Sequence, residues 1–509
     1  MRLASAFLTV GVWTLLSRIL GFARDIMIAA YLGAGPVAEA FLIAFSLPNM
    51  FRRFFAEGAF NMAFIPMFSK KLEADEDAHG FAQNAFAGLA FVLILFSFIA
   101  LFAMPWLVTL MASGFRGDER FDLAVLFGRI AFPYILFISL AALLSGVLNA
   151  TRRFVAAAAA PVLLNVLFVG SLIIAHALSW DLGLTLAWTV PVAGIAQLAL
   201  VWEAARRAGF TLRIRRPVLS PDIKRLAVIA APAALAGGVV QVNLLVGRQV
   251  ASFFDGAIVW LGLADRLYQL PLGVVGIAMG VVLLPDLSRR LRAGDTDGGR
   301  HAFNRASEMA LTLTIPAAVA LIAIPVPLVA VLFERGAFTA DDTAQTALAV
   351  AIYGAGLPAF VLQKTLQPLY FAREDTRTPF RIAVWAMVIN LVIAVGAAPI
   401  FGFIAAAVAT TLAGWVTVAL LWIRARPMGD AASLDRRFLH RLPRIVLAAI
   451  AMGVIIRLAA DWAESTLPDV LYTPFGLALL VTLGFGCFGA LALASGAVAR
   501  TDLAMLRRR

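Results

Sequence analysis

The sequence predicts an all-α polytopic membrane protein, and three observations lead to that prediction. The chain has 509 residues, of which 62% are apolar and only 14% are charged, and its mean hydropathy is +0.91. Soluble proteins carry about 25% charged residues, so the apolar excess must be solvated by lipid. The apolar runs reach about 20 residues, which suits spanning helices and excludes barrel strands of about 10 alternating residues. The third observation is that basic residues concentrate in alternate loops.

Polar turns and Pro/Gly clusters divide the apolar sequence into fourteen predicted spanning helices. The first six predicted helices lie at 5–33, 36–69, 81–111, 122–149, 154–178 and 183–204. The next six lie at 226–254, 256–287, 306–333, 343–371, 382–399 and 402–423. The last two lie at 445–462 and 472–498.

The basic residues fit an even number of spans with both termini in the cytoplasm. With that orientation the inner loops and ends hold 30 Lys and Arg residues, whereas the outer loops hold only Arg116, Arg120 and Arg335. This asymmetry is the positive-inside rule, and it accounts for the net charge of +12 without any nucleic-acid partner. The remaining nine cations must lie within the predicted helices.

An internal duplication divides the chain into two lobes. Residues 64–72 match residues 283–291 at the end of the second helix of each half. Six helices per repeat predict parallel copies, a transporter architecture, with lobes at 1–220 and 221–430 and two added helices at 431–509. Duplication for packing alone is the alternative. Further matches at offsets of 220 to 225 are 198–202 with 418–422, Pro133 with Pro358, and Asn165 with Asn390.

The nine cations inside predicted helices each need a physical reason, because each costs roughly 2.5–3.5 kcal/mol at a helix centre. Arg129, Arg248 and Arg457 lie near helix ends and are expected to reach the headgroups. Arg53 stands four residues before Glu57 and is expected to form a structural ion pair. The role of Lys364 stays open. The other four are Arg18, Arg24, Arg52 and Arg266.

Those four arginines point to an anionic, phosphate-bearing substrate. They are placed at similar depths on three helices of both lobes, and guanidinium groups suit bidentate phosphate binding. Ser17 shares a helix face with Arg24, seven residues away. The alternative is that nearby acids neutralise the arginines entirely. Those acids, which are also the candidates for gating or ion coupling, are Asp25, Glu39, Glu57 and Asp265.

Catalytic and cofactor chemistry is not indicated. The sequence has no Gly-Lys dipeptide and therefore no Walker A loop, so ATP is not the direct energy source. Four scattered histidines and the single Cys487 offer no metal spacing or disulfide framework. No cofactor is expected, and the protein is predicted to be a transporter rather than an enzyme.

Five motifs lie at residues 17–25, 47–60, 264–271, 333–339 and 373–379, and the first two are long enough to be specific. They resemble motifs of the MurJ (MviN) lipid II flippases of the MOP exporter superfamily, and the resemblance covers nearly the whole chain. It implies two six-helix lobes and a lipid-tail groove formed with the last two helices. It also implies that lipid II, an undecaprenyl-pyrophosphate-linked muropeptide, moves from the inner to the outer leaflet of the bacterial plasma (inner) membrane by alternating access.

The resemblance assigns the family's cavity arginines to Arg18, Arg24, Arg52 and Arg266. Glu39 stands where an aspartate is common, and Gln269 stands where some members have an acid, which leaves the coupling residue open. A coupling cation or the membrane potential is the expected energy source. The expected partners are lipid II and membrane lipid, with the protein acting as a monomer.

Two other functions remain as alternatives. A drug or lipid-linked oligosaccharide exporter of the same superfamily would share the fold, but arginines in the cavity would repel cationic drugs. A membrane transferase acting on lipid phosphates would need a clustered catalytic acid or metal site, and the sequence shows none.

Overall fold

The structure is a computed structural model that describes residues 3–53, 59–278 and 283–498. Within these ranges every regular element is a helix, which confirms the predicted all-α class. The chain divides into two compact units. The first comprises Met1–Val259 and Arg335–Phe338, and the second comprises Trp260–Glu334 and Thr339–Arg509.

Nine long helices and helix segments make up most of the first unit. They are α1 (Leu3–Leu32), α2 (Pro36–Arg52), α3 (Ala59–Glu73), α4 (Ala78–Met111), α5 (Glu119–Ala131), α6 (Tyr134–Ala150), α7 (Val155–Ala177), α8 (Leu182–Arg207) and α9 (Pro221–Ala251).

Helix α10 (Ala257–Ala278) begins in the first unit and continues into the second. The described helices that follow it are α11 (Leu284–Arg292), α12 (Thr296–Ala323), α13 (Pro325–Phe333), α14 (Ala340–Phe371), α15 (Arg377–Phe401), α16 (Ile404–Ala425), α17 (Arg436–Thr466), α18 (Pro468–Leu471) and α19 (Pro474–Ala494).

Each of the fourteen predicted segments coincides with a described helix or pair of helices, but the number of spans is a separate question. Among the described residues, nine helices are long and apolar enough to cross a membrane, or ten if one bent pair counts as a single span. The count of fourteen therefore stays a prediction.

Two predicted helices are each divided in the structure: 122–149 into α5 and α6, and 306–333 into α12 and α13. The predicted segments at 36–69 and 256–287 include residues 54–58 and 279–282, which lie outside the described residues. Proline accounts for both of the described breaks. Helices α5 and α6 are bent by 40° on either side of Pro133, and Pro325 begins α13. A proline lacks the N–H that would continue the helix, so the bend forms where it stands.

The first unit packs around aromatic side chains, and α9 belongs to it. Phe41, Phe45 and Phe168 join α2 to α7 through edge-on ring contacts. Helix α9 packs against α3 and α4, so the compact unit extends past the predicted lobe boundary at residue 220. The units follow spatial contacts and the lobes follow the sequence repeat, so the lobe division remains a prediction.

Hydrogen bonds connect both ends of α4 to other segments of the first unit. At 34 residues, α4 is the longest described helix. At its start, Gln83 Nε2 donates to the carbonyl of Arg213 at 2.6 Å, and Gln83 Oε1 accepts from Arg213 N at 2.9 Å. Beyond its end, the backbone N–H of Ser113 donates to Gln249 of α9 at 2.8 Å. The helix is therefore anchored to other segments of the first unit at both ends.

In the second unit, α14 packs against α12 and α16, α17 packs against α12, and α19 packs against α17. Leu311 and Ile315 of α12 share an apolar cluster with Phe438, Ile445 and Ala449 of α17. Polar contacts reinforce the same junction near the middle of α12. There Glu308 accepts from three arginines, which are Arg305, Arg437 and Arg441.

Gly33, which follows α1, is a position where the fold does not tolerate a side chain. Its φ is +60°, and a Cβ atom there would lie 2.5 Å from the carbonyl oxygen of Ala337. Ala337 donates its own N–H to the carbonyl of Ala30 at 2.7 Å, so the two backbones cannot simply move apart.

We expect Gly33→Ala to lower the melting temperature of the purified protein by several degrees. The left-handed backbone alone costs about 1–3 kcal/mol for a residue with a side chain, and the contact with Ala337 adds to it. Gly170→Ala is the matched control, because a Cβ atom there meets nothing within 4 Å. Equal melting temperatures for the two variants would contradict the assignment.

Candidate functional site

Helix α1 carries the predicted site residues Ser17, Arg18, Arg24 and Asp25, and the structure places them in different environments. Arg24 is buried, at 7% exposure. Arg18 is exposed, and Ser17 and Asp25 are half-buried. Six positions separate Arg18 from Arg24, so their side chains leave a 3.6-residue helix in different directions.

Arg24 is held on several sides. Its Nε and Nη2 atoms donate to Asp25 Oδ1 at 3.1 and 2.8 Å, and its Nη1 donates to Asn165 Oδ1 at 3.1 Å. The guanidinium carbon lies 5.9 Å from the ring centre of Phe45 and 5.5 Å from that of Phe168. The ion pair with Asp25 and the negative ring faces stabilise the charge of a buried guanidinium.

Arg52 and Arg53 lie where α2 ends. Arg52 is half-buried in the last turn of the helix, and Arg53 follows it and is exposed. The sequence predicts one continuous helix here, with Arg52 near its middle; residues 54–58, between α2 and α3, lie outside the described residues, so the continuity stays a prediction. Glu57, the predicted partner of Arg53, lies outside the described residues.

Asp265 and Arg266 lie on α10 in the second unit. Asp265 is half-buried and accepts a hydrogen bond from Gln269, and Arg266 is exposed. Tyr268 packs against Tyr353, with ring centres 5.1 Å apart, and against Phe360 at 5.4 Å. In the described structure, the residue that departs from the family pattern, Gln269, thus binds the acid beside the second-unit arginine.

Glu39 forms the most buried ion pair of the first unit, and its partner is Arg120. The two residues are 1% and 5% exposed. Arg120 Nη1 donates to Glu39 Oε2 at 2.9 Å, and Glu39 Oε1 accepts from the backbone N–H of Ile258 at 3.1 Å. The carboxylate therefore has a charged partner and a backbone donor.

Arg120 also pairs with Asp118 at 2.6 Å and with Asp255 at 2.8 Å, and its guanidinium lies 4.7 Å from the ring centre of Phe115. Burial raises the pKa of Asp118, but hydrogen bonds from the backbone and side chain of Arg120 outweigh it and leave that pKa below its ordinary value. Sequence reasoning treated Arg120 only as an outer-loop residue and missed this role. A glutamate buried in a helix needs a cationic partner, and this need of Glu39 is the signal in the sequence that points to a residue such as Arg120.

The cations that were not assigned to substrate binding either contact a group nearby or are at least partly exposed. Arg457 pairs with Asp461 at 2.9 Å, and Arg129 donates to the carbonyl of Leu101 at 3.2 Å. Arg248 is half-buried, and Lys364 is exposed. Across the part of the chain that the structure describes, no three His, Cys, Asp or Glu side chains are grouped so as to hold a metal ion.

A family model described as "Lipid II flippase MurJ" matches residues 28–473. The chain belongs to the MurJ family. It is 46% identical over 469 residues to the probable lipid II flippase MurJ of Rhizobium meliloti (strain 1021), a match that covers 91% of this chain and 88% of that protein. It is 37% identical over 403 residues to the lipid II flippase MurJ of Burkholderia cenocepacia, covering 77% of each.

Solved structures agree with the MurJ assignment. A structure described as "Lipid II flippase MurJ, inward closed conformation" superposes with a TM-score of 0.79 and 25% identity, covering 95% of this chain and 97% of that one. An inward-facing multidrug resistance MATE transporter of the MOP superfamily matches with a TM-score of 0.69 at 14% identity, over 84% and 98% of the two chains. The second likeness shows the fold alone.

The buried pair of Glu39 and Arg120 gives a stability prediction for this MurJ-family chain. We expect Arg120→Gln to destabilise the protein by about 3–5 kcal/mol, because it leaves the Glu39 carboxylate buried without a cation. Adding Glu39→Gln should restore much of that loss. Thermal unfolding of the purified variants measures both effects.

Asp255→Asn is the matched control, since the Asp255 side chain is 90% exposed and an exposed pair contributes about 0–1 kcal/mol. If Arg120→Gln and Asp255→Asn unfold at the same temperature, the buried pair does not stabilise the unit.

Proposed function

We propose that this chain is a lipid II flippase that carries the head group from the inner to the outer leaflet of the bacterial inner membrane without hydrolysing ATP. The observation that carries the proposal is the presence of arginines within the apolar helices of a MurJ-family chain. Arg18 and Arg24 lie on α1, Arg52 on α2, and Arg266 on α10.

The chemistry of lipid II matches these residues. Its pyrophosphate and sugars cannot enter hydrocarbon without leaving polar groups unsatisfied, whereas its polyprenyl tail can stay in the lipid. Arginine remains charged in proteins and presents paired N–H groups to two phosphate oxygens. A basic cavity that opens alternately to each side would carry the head group, while the tail follows along a groove beside the helices of residues 431–509.

The ion pair at Arg24 fits an empty carrier as well as a loaded one. With no substrate, Asp25 neutralises the guanidinium at 2.8 Å, which lowers the cost of keeping that charge within the membrane. When lipid II arrives, its pyrophosphate competes with Asp25 for the same cation. The pair therefore lets Arg24 remain charged in both states of the transport cycle.

Orientation, energy source and oligomeric state belong to the same proposal. The chain is a multi-pass protein with both termini in the cytoplasm, and it acts as a monomer and forms no covalent product. A cation or the membrane potential drives the cycle. Asp25, Glu39, Glu57 and Asp265 are the candidate coupling or gating acids.

Reconstitution in liposomes with fluorescent or radiolabelled lipid II tests the function directly. A change of leaflet with no covalent change supports a flippase, and a new product indicates a transferase. Failure of the purified, folded protein to move lipid II between leaflets would overturn the proposal.

We expect Ala and Lys at Arg24, Arg52 or Arg266 to abolish or strongly reduce lipid II translocation. Lys keeps the charge but lacks the fork of N–H groups that binds two phosphate oxygens. Growth of a flippase-depleted cell and flipping per folded molecule are the two readouts. Arg457→Lys is the control, because its pairing with Asp461 is expected to be structural. Full activity of all three Ala variants would refute phosphate binding by these arginines.

Alternating access by the lobes at 1–220 and 221–430 predicts a disulfide that traps one state. We expect cysteines at Ala34 and Ala257, in a Cys487→Ser background, to crosslink only when the cavity opens inward. Crosslinking should stop flipping and reduction should restore it. If the locked protein flips lipid II at the normal rate, rigid-body rocking is wrong.

A further inference from the structure

Asn165 lies on α7 and contacts two of the predicted site residues on α1. It is 5% exposed. Its Oδ1 accepts from Arg24 Nη1 at 3.1 Å, and its Nδ2 lies 3.0 Å from the carbonyl oxygen of Ser17 and 3.3 Å from Ser17 Oγ. The same Nδ2 also donates to the carbonyl of Pro161 on its own helix at 3.2 Å.

The partners determine which way the carboxamide points. The carbonyl oxygens of Ser17 and Pro161 can only accept hydrogen bonds, so the amide nitrogen must face them. The guanidinium of Arg24 can only donate, so the amide oxygen must face it. Reversing the carboxamide would place its oxygen against two acceptors and its nitrogen against a donor, and would lose every one of these bonds.

This contact affects how Arg24 can meet an anion. Asp25 engages two of the five guanidinium N–H groups, Nε–H and one on Nη2, and Asn165 engages one on Nη1. Among the hydrogen bonds of the described residues, this leaves one N–H on each terminal nitrogen, the number that bidentate contact with a phosphate requires. Asp25 is adjacent to Arg24 in the chain, so in this set Asn165 supplies the hydrogen bond from the guanidinium to a different helix.

We propose that Asn165 is a positioning residue for substrate binding. It orients Arg24 so that the two terminal nitrogens meet a phosphate group of the substrate. Through its bonds to Ser17 it also holds α1 in place against α7. The inference rests on the proposed function, because it concerns the same substrate. No contact between Asn165 and the substrate is required.

The type of residue matters as well as its place. An amide orients the guanidinium without adding negative charge, so it adds no anion to compete with the substrate beside Asp25. An aspartate at 165 would keep the acceptor but add a second carboxylate beside the cation and hold it against the substrate. A leucine has nearly the same shape and removes every hydrogen bond.

The test measures lipid II affinity in detergent and flipping in liposomes for Asn165→Leu and Asn165→Asp. Both variants should weaken lipid II binding about tenfold or more, the effect of losing or misdirecting one hydrogen bond to a charged group. Gln197→Leu is the matched control. Gln197 is also a buried amide of the first unit that donates to α7, to the carbonyl of Ala160 at 2.8 Å, but none of its described hydrogen bonds involves Arg24.

Combination with Arg24→Ala separates positioning from a general structural role. If Asn165 acts through Arg24, Asn165→Leu should weaken lipid II binding in the native background and add nothing in the Arg24→Ala background. Additive losses in the two backgrounds would overturn the inference. So would equal losses of affinity in the Asn165→Leu and Gln197→Leu proteins, or native affinity of the folded Asn165→Leu protein. If the unaltered protein binds and flips no lipid II, it is the proposed function that fails.

Discussion

A charged group withdrawn from water must find its partner within the protein, and this constraint explains most of the polar structure described here. Arg24 satisfies it with Asp25, Asn165 and two phenylalanine rings. Glu39 satisfies it with Arg120 and a backbone N–H. A protein that carries a charged head group through a membrane must keep such charges where helices would otherwise be apolar. The ion pairs make those charges tolerable when no substrate is present.

The two buried ion pairs of the first unit differ in how far apart their partners lie in the sequence, and this difference matters for movement of the helices. Asp25 is the sequence neighbour of Arg24, so their pairing needs no other helix and survives relative movement of helices. Glu39 and Arg120 lie 81 positions apart, and their network includes Asp255 and Ile258 next to the start of α10. Any displacement of Ile258 relative to Glu39 must therefore break or rearrange the hydrogen bonds of this carboxylate.

Much of the fold could be predicted from the sequence because lipid imposes a simple rule on length and apolarity. The helix positions follow from that rule. The breaks at Pro133 and Pro325 were missed, since 122–149 and 306–333 were each predicted as one helix. The partners of the buried charges did not follow, because they depend on which helices become neighbours. Arg120 was counted only as a loop cation, and Asn165 was noted only as a repeated residue. The inclusion of α9 in the first unit likewise depends on its packing against α3 and α4, and a repeat in the sequence does not show which helices pack together.

The length of helix α4 makes the first unit sensitive to the thickness of the membrane around it. At 1.5 Å per residue, its 34 residues extend about 50 Å, whereas the hydrocarbon core is about 30 Å thick. The contacts of Gln83 with Arg213 and of Ser113 with Gln249 hold both ends to other segments, so α4 cannot adjust its tilt independently. A thinner or thicker bilayer must then deform around the whole first unit, at a cost of fractions of a kcal/mol per Å of mismatch. Acyl-chain length thereby becomes a variable that changes the free energy of the first unit in its membrane.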